Sequence, residues 1–183
     1  MRMLRKRGWR LLPILLLLLL LGACGKNTAF TMKNDYTVGG VNWGVGPATV
    51  QKTLGRGAVS AEDGRVLQLK KAKFHDQAVA AEFLFADGVS GQVLNGVRLT
   101  FAEGYDKTAL VRTLSKVLGP MDEYYTTESG DRLRAPEENW SWHTTGTVMS
   151  GELQKYLCVA RFEDRNTLYI DATGANLKSG KLA

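Results

Sequence analysis

Few residues in this chain of 183 could carry acid–base or metal chemistry. Its two histidines, His75 and His143, have no second histidine or cysteine at the spacing that zinc sites use. His75 and Asp76 are adjacent at the end of a predicted strand, where neighbouring side chains point to opposite faces. We therefore expect both histidines to be surface or sheet-edge residues, and we expect no catalytic residue, metal or cofactor.

The polar loop predicted over Thr126–Asn139 carries the alternative interpretation, which is an envelope hydrolase. In that case Asp131, Glu137 and Glu138 would converge with His143 in a polar pocket. However, adjacent carboxylates in a loop are typical of solvated charge, and no nucleophile-elbow, phosphate-loop or dinucleotide-binding motif occurs in the sequence. The sequence therefore favours a non-enzymatic protein.

Residues 1–23 have the layout of a secretory signal. A basic segment, Met1–Arg10, precedes the apolar run Leu11–Leu21. As a helix, this run spans roughly 16 Å, whereas the hydrocarbon core of a bilayer is about 30 Å thick. It is therefore too short to remain as a membrane span.

The end of the apolar run, Leu21-Gly22-Ala23-Cys24, resembles the lipobox of bacterial lipoproteins. The resemblance implies cleavage between Ala23 and Cys24, and a diacylglycerol on the Cys24 sulfur. Two or more acyl chains give durable attachment to a bilayer. The expected location is the outer face of the cell membrane, or the outer membrane of a Gram-negative cell. The alternative is an ordinary secretory signal that contains a cysteine.

The formal net charge of +6 belongs to this leader. Five of the 24 basic residues lie in the first ten positions, and no acidic residue precedes Asp35. Without the leader the chain is close to neutral, so the main argument for a nucleic-acid partner is lost. With Cys24 lipidated, Cys158 has no disulfide partner, and its alternation with Ala160 and Phe162 predicts a buried thiol.

The remaining chain predicts an α+β protein. Residues 24–35 are expected to be a lipidated N-terminus and tether, and residues 173–183 a polar tail. Helices are predicted after Pro47 and over Asp106–Leu118, the second on a clear amphipathic stripe. Alternating apolar residues predict strands over Val66–Phe74, Ala78–Ala86, Val93–Phe101, Asn139–Thr145, Leu153–Phe162 and Thr167–Ala172, with a hairpin at Asp87-Gly88.

The order of these elements predicts two similar halves, 36–104 and 105–172. Each half is a helix packed on a mainly antiparallel sheet of three to four strands, and the helices end in Leu54-Gly55 and Leu118-Gly119. The helix ending Val50–Gly55 resembles the helix endings of two families. These are the beta-lactamase inhibitory proteins and the small lipoproteins of the outer-membrane assembly machinery. That resemblance implies helix-on-sheet units and no binding residue.

Two further clusters have both a structural and a functional interpretation. Trp140 and Trp142, with Tyr124 and Tyr125 upstream, are either core residues under a helix or a contact surface for a partner. The basic cluster Lys70, Lys71 and Lys73 is either a solvated strand face or charged edge, or a contact for anionic lipid headgroups or wall polymers.

These observations together predict a membrane-anchored lipoprotein of the bacterial cell envelope. It would act as a non-enzymatic binding or scaffolding module. Its expected partners are the lipid bilayer, through the acyl chains on Cys24, and an envelope protein.

Overall fold

The computed structural model describes residues 28–55, 57–122, 124–126, 129, 131–134, 136, 140–147 and 154–180. Cys24 and the predicted leader, residues 1–23, lie outside these residues. So do Glu137 and Glu138 of the hydrolase alternative.

Ten strands and three helices make up the described part of the chain. The strands are β1 (Thr28–Phe30), β2 (Val59–Ala61), β3 (Val66–Phe74), β4 (Gln77–Gly88), β5 (Gly91–Phe101), β6 (Tyr124–Thr126), β7 (Arg132–Arg134), β8 (Ser141–Thr147), β9 (Gln154–Phe162) and β10 (Thr167–Asp171). The helices are α1 (Pro47–Leu54), α2 (Lys107–Leu118) and α3 (Ala172–Lys178). The predicted α+β class is confirmed.

One sheet of eight strands forms the centre of the fold. Its order is β1-β3-β4-β5-β10-β9-β8, and β2 also pairs with β3. Only the β1–β3 pair is parallel. The strands that follow α1 and those that follow α2 lie side by side, joined where β5 pairs with β10. The sheet is therefore continuous across the predicted boundary between the two halves.

One face of the sheet carries the core. On β4, alternation buries Val79, Ala81, Phe83 and Phe85, as the sequence predicts. The apolar stripes of α1 and α2 belong to the same buried cluster, through Val50, Leu54, Leu110, Leu114 and Leu118. The predicted hairpin between β4 and β5 is also confirmed, since Gly88 pairs with Gly91.

Capping fixes both ends of the two longer helices. Pro47 begins α1, where its missing N–H is not needed. Asp106 caps α2 by accepting a hydrogen bond from the Ala109 N–H at 2.8 Å. Gly55 and Gly119 end the helices with φ angles of 82° and 87°, which side chains disfavour.

Both ends of the described chain contribute to the fold more than expected. Residues 28–35 were predicted to belong to a tether, but Thr28–Phe30 forms β1, and Phe30 and Met32 are buried. The segment expected to be a polar tail forms α3, in which Ala175 is fully buried. A Cβ at Gly174 would collide with the Cys158 carbonyl, so a small residue lets α3 approach β9.

Candidate functional site

The predicted aromatic contact surface is wrong for Trp142. Its side chain is 0% exposed, and its ring packs against Phe162 with 6.3 Å between centroids. The indole Nε1 donates a hydrogen bond to Ser115 Oγ on α2 at 3.2 Å. Trp142 is therefore a core residue that joins β8 to the covering helix, because helix packing buries one face of this strand.

Trp140 is half-buried against the core, and the Lys107 ammonium lies 5.1 Å from its ring centroid. Tyr124 and Tyr125 lie on β6, which pairs with β7 in a separate two-stranded sheet. The backbone of these two tyrosines therefore belongs to a different sheet from that of Trp142.

His143 pairs with a carboxylate that the sequence did not single out. Its Nδ1 lies 2.9 Å from Asp122 Oδ2. Of the loop carboxylates named for the hydrolase alternative, Asp131 accepts a hydrogen bond from Ser129 at 2.8 Å. An Asp–His pair can orient a general base, but that chemistry also needs an activated nucleophile.

The thiol nearest to this pair in the sheet is poorly suited to that role. Cys158 is the cross-strand partner of His143, but burial raises the pKa of its thiol, against the opposing effect of Arg161. A protonated thiol is a weak nucleophile. The predicted burial is also only partial, because a register shift between Trp142 and His143 puts Cys158 out of phase with Ala160.

His75 ties the N-terminal strand to the turn between β3 and β4. The Met32 N–H donates to His75 Nε2 at 3.1 Å, and the His75 N–H donates to the Phe30 carbonyl at 3.1 Å. His75 and Asp76 both have positive φ, at 44° and 66°, as a two-residue hairpin turn of this kind requires. The acceptor role of Nε2 requires a neutral imidazole.

This arrangement predicts that mild acid weakens the attachment of β1. Burial lowers the pKa of His75 below its ordinary value of 6.5, although Asp76 opposes the shift. In the range between the two pKa values, the unfolded chain therefore binds more protons than the folded protein. The contribution of neutral His75 to stability is fully present above pH 6.5, and it is lost as the pH falls through 6.5 toward the lower pKa of the folded state.

We expect the urea midpoint of unfolding to be lower at pH 5.5 than at pH 7.5. We expect this difference to be smaller in His75→Gln than in the wild type. Glutamine keeps an acceptor oxygen but does not titrate. An equal fall in the two proteins would assign the acid sensitivity to other groups.

The sheet face opposite the core carries a ladder of paired charges. Gln68 donates to Glu82 at 3.0 Å, and Arg98 contacts both Glu82 at 3.5 Å and Glu163 at 2.9 Å. Arg161 adds a contact to Glu163 at 3.4 Å. These pairs are partly exposed, so each contributes only about 0–1 kcal/mol.

A shallow groove lies beside this ladder on the same face. Exposed small residues of β4 and β5 form its floor: Ala78, Ala80, Thr100 and Ala102. Lys70, Lys71 and Lys73 of β3 line one side, and the cavity volume is about 420 Å³. Within the described residues, no ion pair involves these three lysines. Among the described residues, the lysine charges of the groove are therefore not paired with carboxylates, whereas the charges of the neighbouring ladder are.

The second exposed feature is the edge of the sheet at β8. This strand pairs with β9 on one side. On its other side, the Ser141 carbonyl accepts a 2.8 Å hydrogen bond from the Asp122 N–H. β8 is the last strand in the order of the sheet, and an edge of this kind is a template for another strand.

No family model, curated protein or solved structure matches this chain. Among the helices of the described residues, none combines the length and apolar character needed to cross a bilayer. No group of three or more His, Cys, Asp and Glu side chains able to hold a metal occurs in the part of the chain that the structure describes.

Proposed function

We propose that this protein is a lipid-anchored lipoprotein of the bacterial cell envelope that binds another protein through the β8 edge of its sheet. The observation that carries the proposal is the position of β8, a strand of seven residues that is the last in the order of the sheet. The partner would add a strand there, so that main-chain hydrogen bonds provide the affinity.

The composition of β8 supports this role. Proteins usually protect an edge strand with lysine, proline or an inward charge. The sequence of β8, Ser-Trp-His-Thr-Thr-Gly-Thr, contains no lysine, arginine, carboxylate or proline. Threonine favours extended backbone and carries no charge.

The predicted duplication fits the same proposal. The strands after α1 and after α2 take equivalent places in the sheet, since β3-β4-β5 meets β10-β9-β8 at its centre. The two helices end at glycines of nearly equal φ and ψ, Gly55 and Gly119. In the first half, β1 and β2 cover the outer strand β3. If the chain is duplicated, the equivalent strand of the second half is β8, which would pair with a strand of the partner in the same way.

Lipid attachment at Cys24 would make such binding efficient. A protein held at the membrane meets membrane partners at a raised effective concentration, without any new contact. The anchor itself rests on the lipobox resemblance of Leu21-Gly22-Ala23-Cys24.

The test is photo-crosslinking in intact cells from the β8 edge. A photoreactive amino acid at position 145 is expected to yield one dominant adduct with an envelope protein. The matched control carries the same group at Lys116, an exposed position on α2. Adducts of equal yield from both positions would contradict edge-specific binding.

Two proline variants connect the adduct to strand addition. Successive N–H groups of a strand point to opposite edges, so one of Thr144→Pro and Thr145→Pro removes only an outward donor. In urea unfolding, that variant should keep its free energy of unfolding within about 0.5 kcal/mol of the wild-type value. It should no longer co-purify with the identified partner. If both proline variants fold and both still co-purify with the partner, the proposal of strand addition is wrong.

A further inference from the structure

Three observations concern the lysine-lined groove of β3 and β4, and together they indicate what it contacts. The first is position. Thr28, the first residue of β1, pairs with Ala72, which lies between Lys71 and Lys73. The groove therefore lies beside the point where the chain from Cys24 enters the fold.

The second observation is the short distance along the chain to that point. Only four residue steps separate Cys24 from Thr28, and an extended chain covers at most about 14 Å in four steps. Because β1 is parallel to β3, its N-terminal residue Thr28 lies at the end of β1 that is nearer to Lys70 and Lys71. A lipid on Cys24 would hold these ammonium groups within roughly a side-chain length or two of the bilayer surface.

The third observation is the charge of the groove. On the rest of this face, acidic and basic side chains are paired, as in the Glu82–Arg98–Glu163 contacts. Lys70, Lys71 and Lys73 have no such partner among the described residues, and all three are exposed. Edge protection does not explain Lys73, because β1 and β4 flank it on both sides.

We propose that this groove is a docking surface for the anionic phospholipid headgroups of the bilayer that holds Cys24. The proposal rests on the anchoring part of the proposed function. The small side chains of Ala78, Ala80 and Thr100 leave room for a phosphate to approach the lysine ammonium groups. Binding there would turn the sheet so that β1 and β3 face the membrane, while β8, at the opposite end of the sheet order, stays accessible to a partner.

Basic side chains near an anionic surface strengthen membrane association roughly fivefold each, so three together supply about a hundredfold. This attraction falls off within a Debye length, which is about 8 Å at physiological ionic strength. Headgroup contact should therefore depend on both lipid charge and salt.

The test is lysine footprinting of the processed full chain in lipid vesicles. The protein is purified from the membranes of an expressing bacterium. It is then placed in vesicles of phosphatidylcholine alone or of phosphatidylcholine with about 40% phosphatidylglycerol. Acylation of individual lysines is then followed by mass spectrometry. Lys52 and Lys116, exposed on α1 and α2, are internal controls on the opposite side of the sheet.

We expect acylation of Lys70, Lys71 and Lys73 to slow about fivefold or more in the anionic vesicles, with Lys52 and Lys116 unchanged. Salt of about 1 M should remove the protection, because it shortens the Debye length to about 3 Å. If the protein floats with the vesicles but its groove lysines react like the two controls, the docking surface is wrong and the anchor stands. Protection of equal size in neutral vesicles also overturns the proposal. If the protein does not float with vesicles, the anchor and the docking surface are both wrong.

Discussion

Cys24→Ala is expected to abolish both lipid attachment and retention of the protein at the membrane by acyl chains. The thioether forms at the cysteine sulfur, which alanine lacks, so the expected effect is complete rather than graded. Acyl chains contribute about 0.8 kcal/mol for each buried CH₂, and Cys24→Ala removes the site that would carry them. Metabolic labelling with a radioactive or alkyne-tagged fatty acid measures the change directly.

The control for this experiment is Cys158→Ala, which removes the second cysteine of the chain. Cys158 lies on β9, far along the chain from the lipobox, so its replacement should leave labelling intact. Equal labelling of wild type and Cys24→Ala would overturn the lipoprotein interpretation. Loss of labelling in Cys158→Ala but not in Cys24→Ala would mean that the lipid is attached to Cys158 and not to Cys24.

Trp142→Ala is expected to lower the free energy of unfolding by about 3–5 kcal/mol, the usual range for truncating a fully buried large aromatic residue. The side chain is 0% exposed, packs on Phe162 and bonds to Ser115 of α2. Its removal leaves a cavity between the sheet and the helix and an unpaired hydroxyl. Urea unfolding, with the slope m compared between variants, measures the loss.

The matched variant is Trp140→Ala, two positions away on the same strand segment. Trp140 is only half-buried, so we expect a smaller loss, about 1–2 kcal/mol, from packing with Lys107 and the core. Trp142→Phe should fall between wild type and Trp142→Ala, because it keeps an apolar ring in the cavity. A larger loss for Trp140→Ala than for Trp142→Ala would contradict the assignment of Trp142 to the core.

The longer strands β3, β4, β5, β8, β9 and β10 and the helices α1 and α2 follow closely from local sequence. Alternation on β4 and the stripe of α2 are patterns of period 2 and 3.6, and each reflects one buried face. Leu54-Gly55 and Leu118-Gly119 end helices for a local reason, since glycine adopts the positive φ that each end requires. The Gly88–Gly91 hairpin is local in the same sense.

The candidate sites were harder to predict, because they depend on contacts between distant segments. The partner of His143 is Asp122, 21 residues away, and no spacing rule connects the two. The polar sequence of residues 25–35 is typical of a tether, yet Phe30 and Met32 within it reach the core through pairing of β1 with β3. The same pairing brings the chain from Cys24 to the lysine groove.

The sequence by itself determined the α+β class and the main elements, because these depend on composition and on periodicity along the chain. Only the tertiary structure decided the rest. One added residue in the register of β8 and β9 turned Cys158 away from the buried face, and packing of α2 on β8 made Trp142 core. Sheet order is set by which surfaces bury each other, and that order placed β8 at one end of a single sheet that contains the strands after α1 and those after α2.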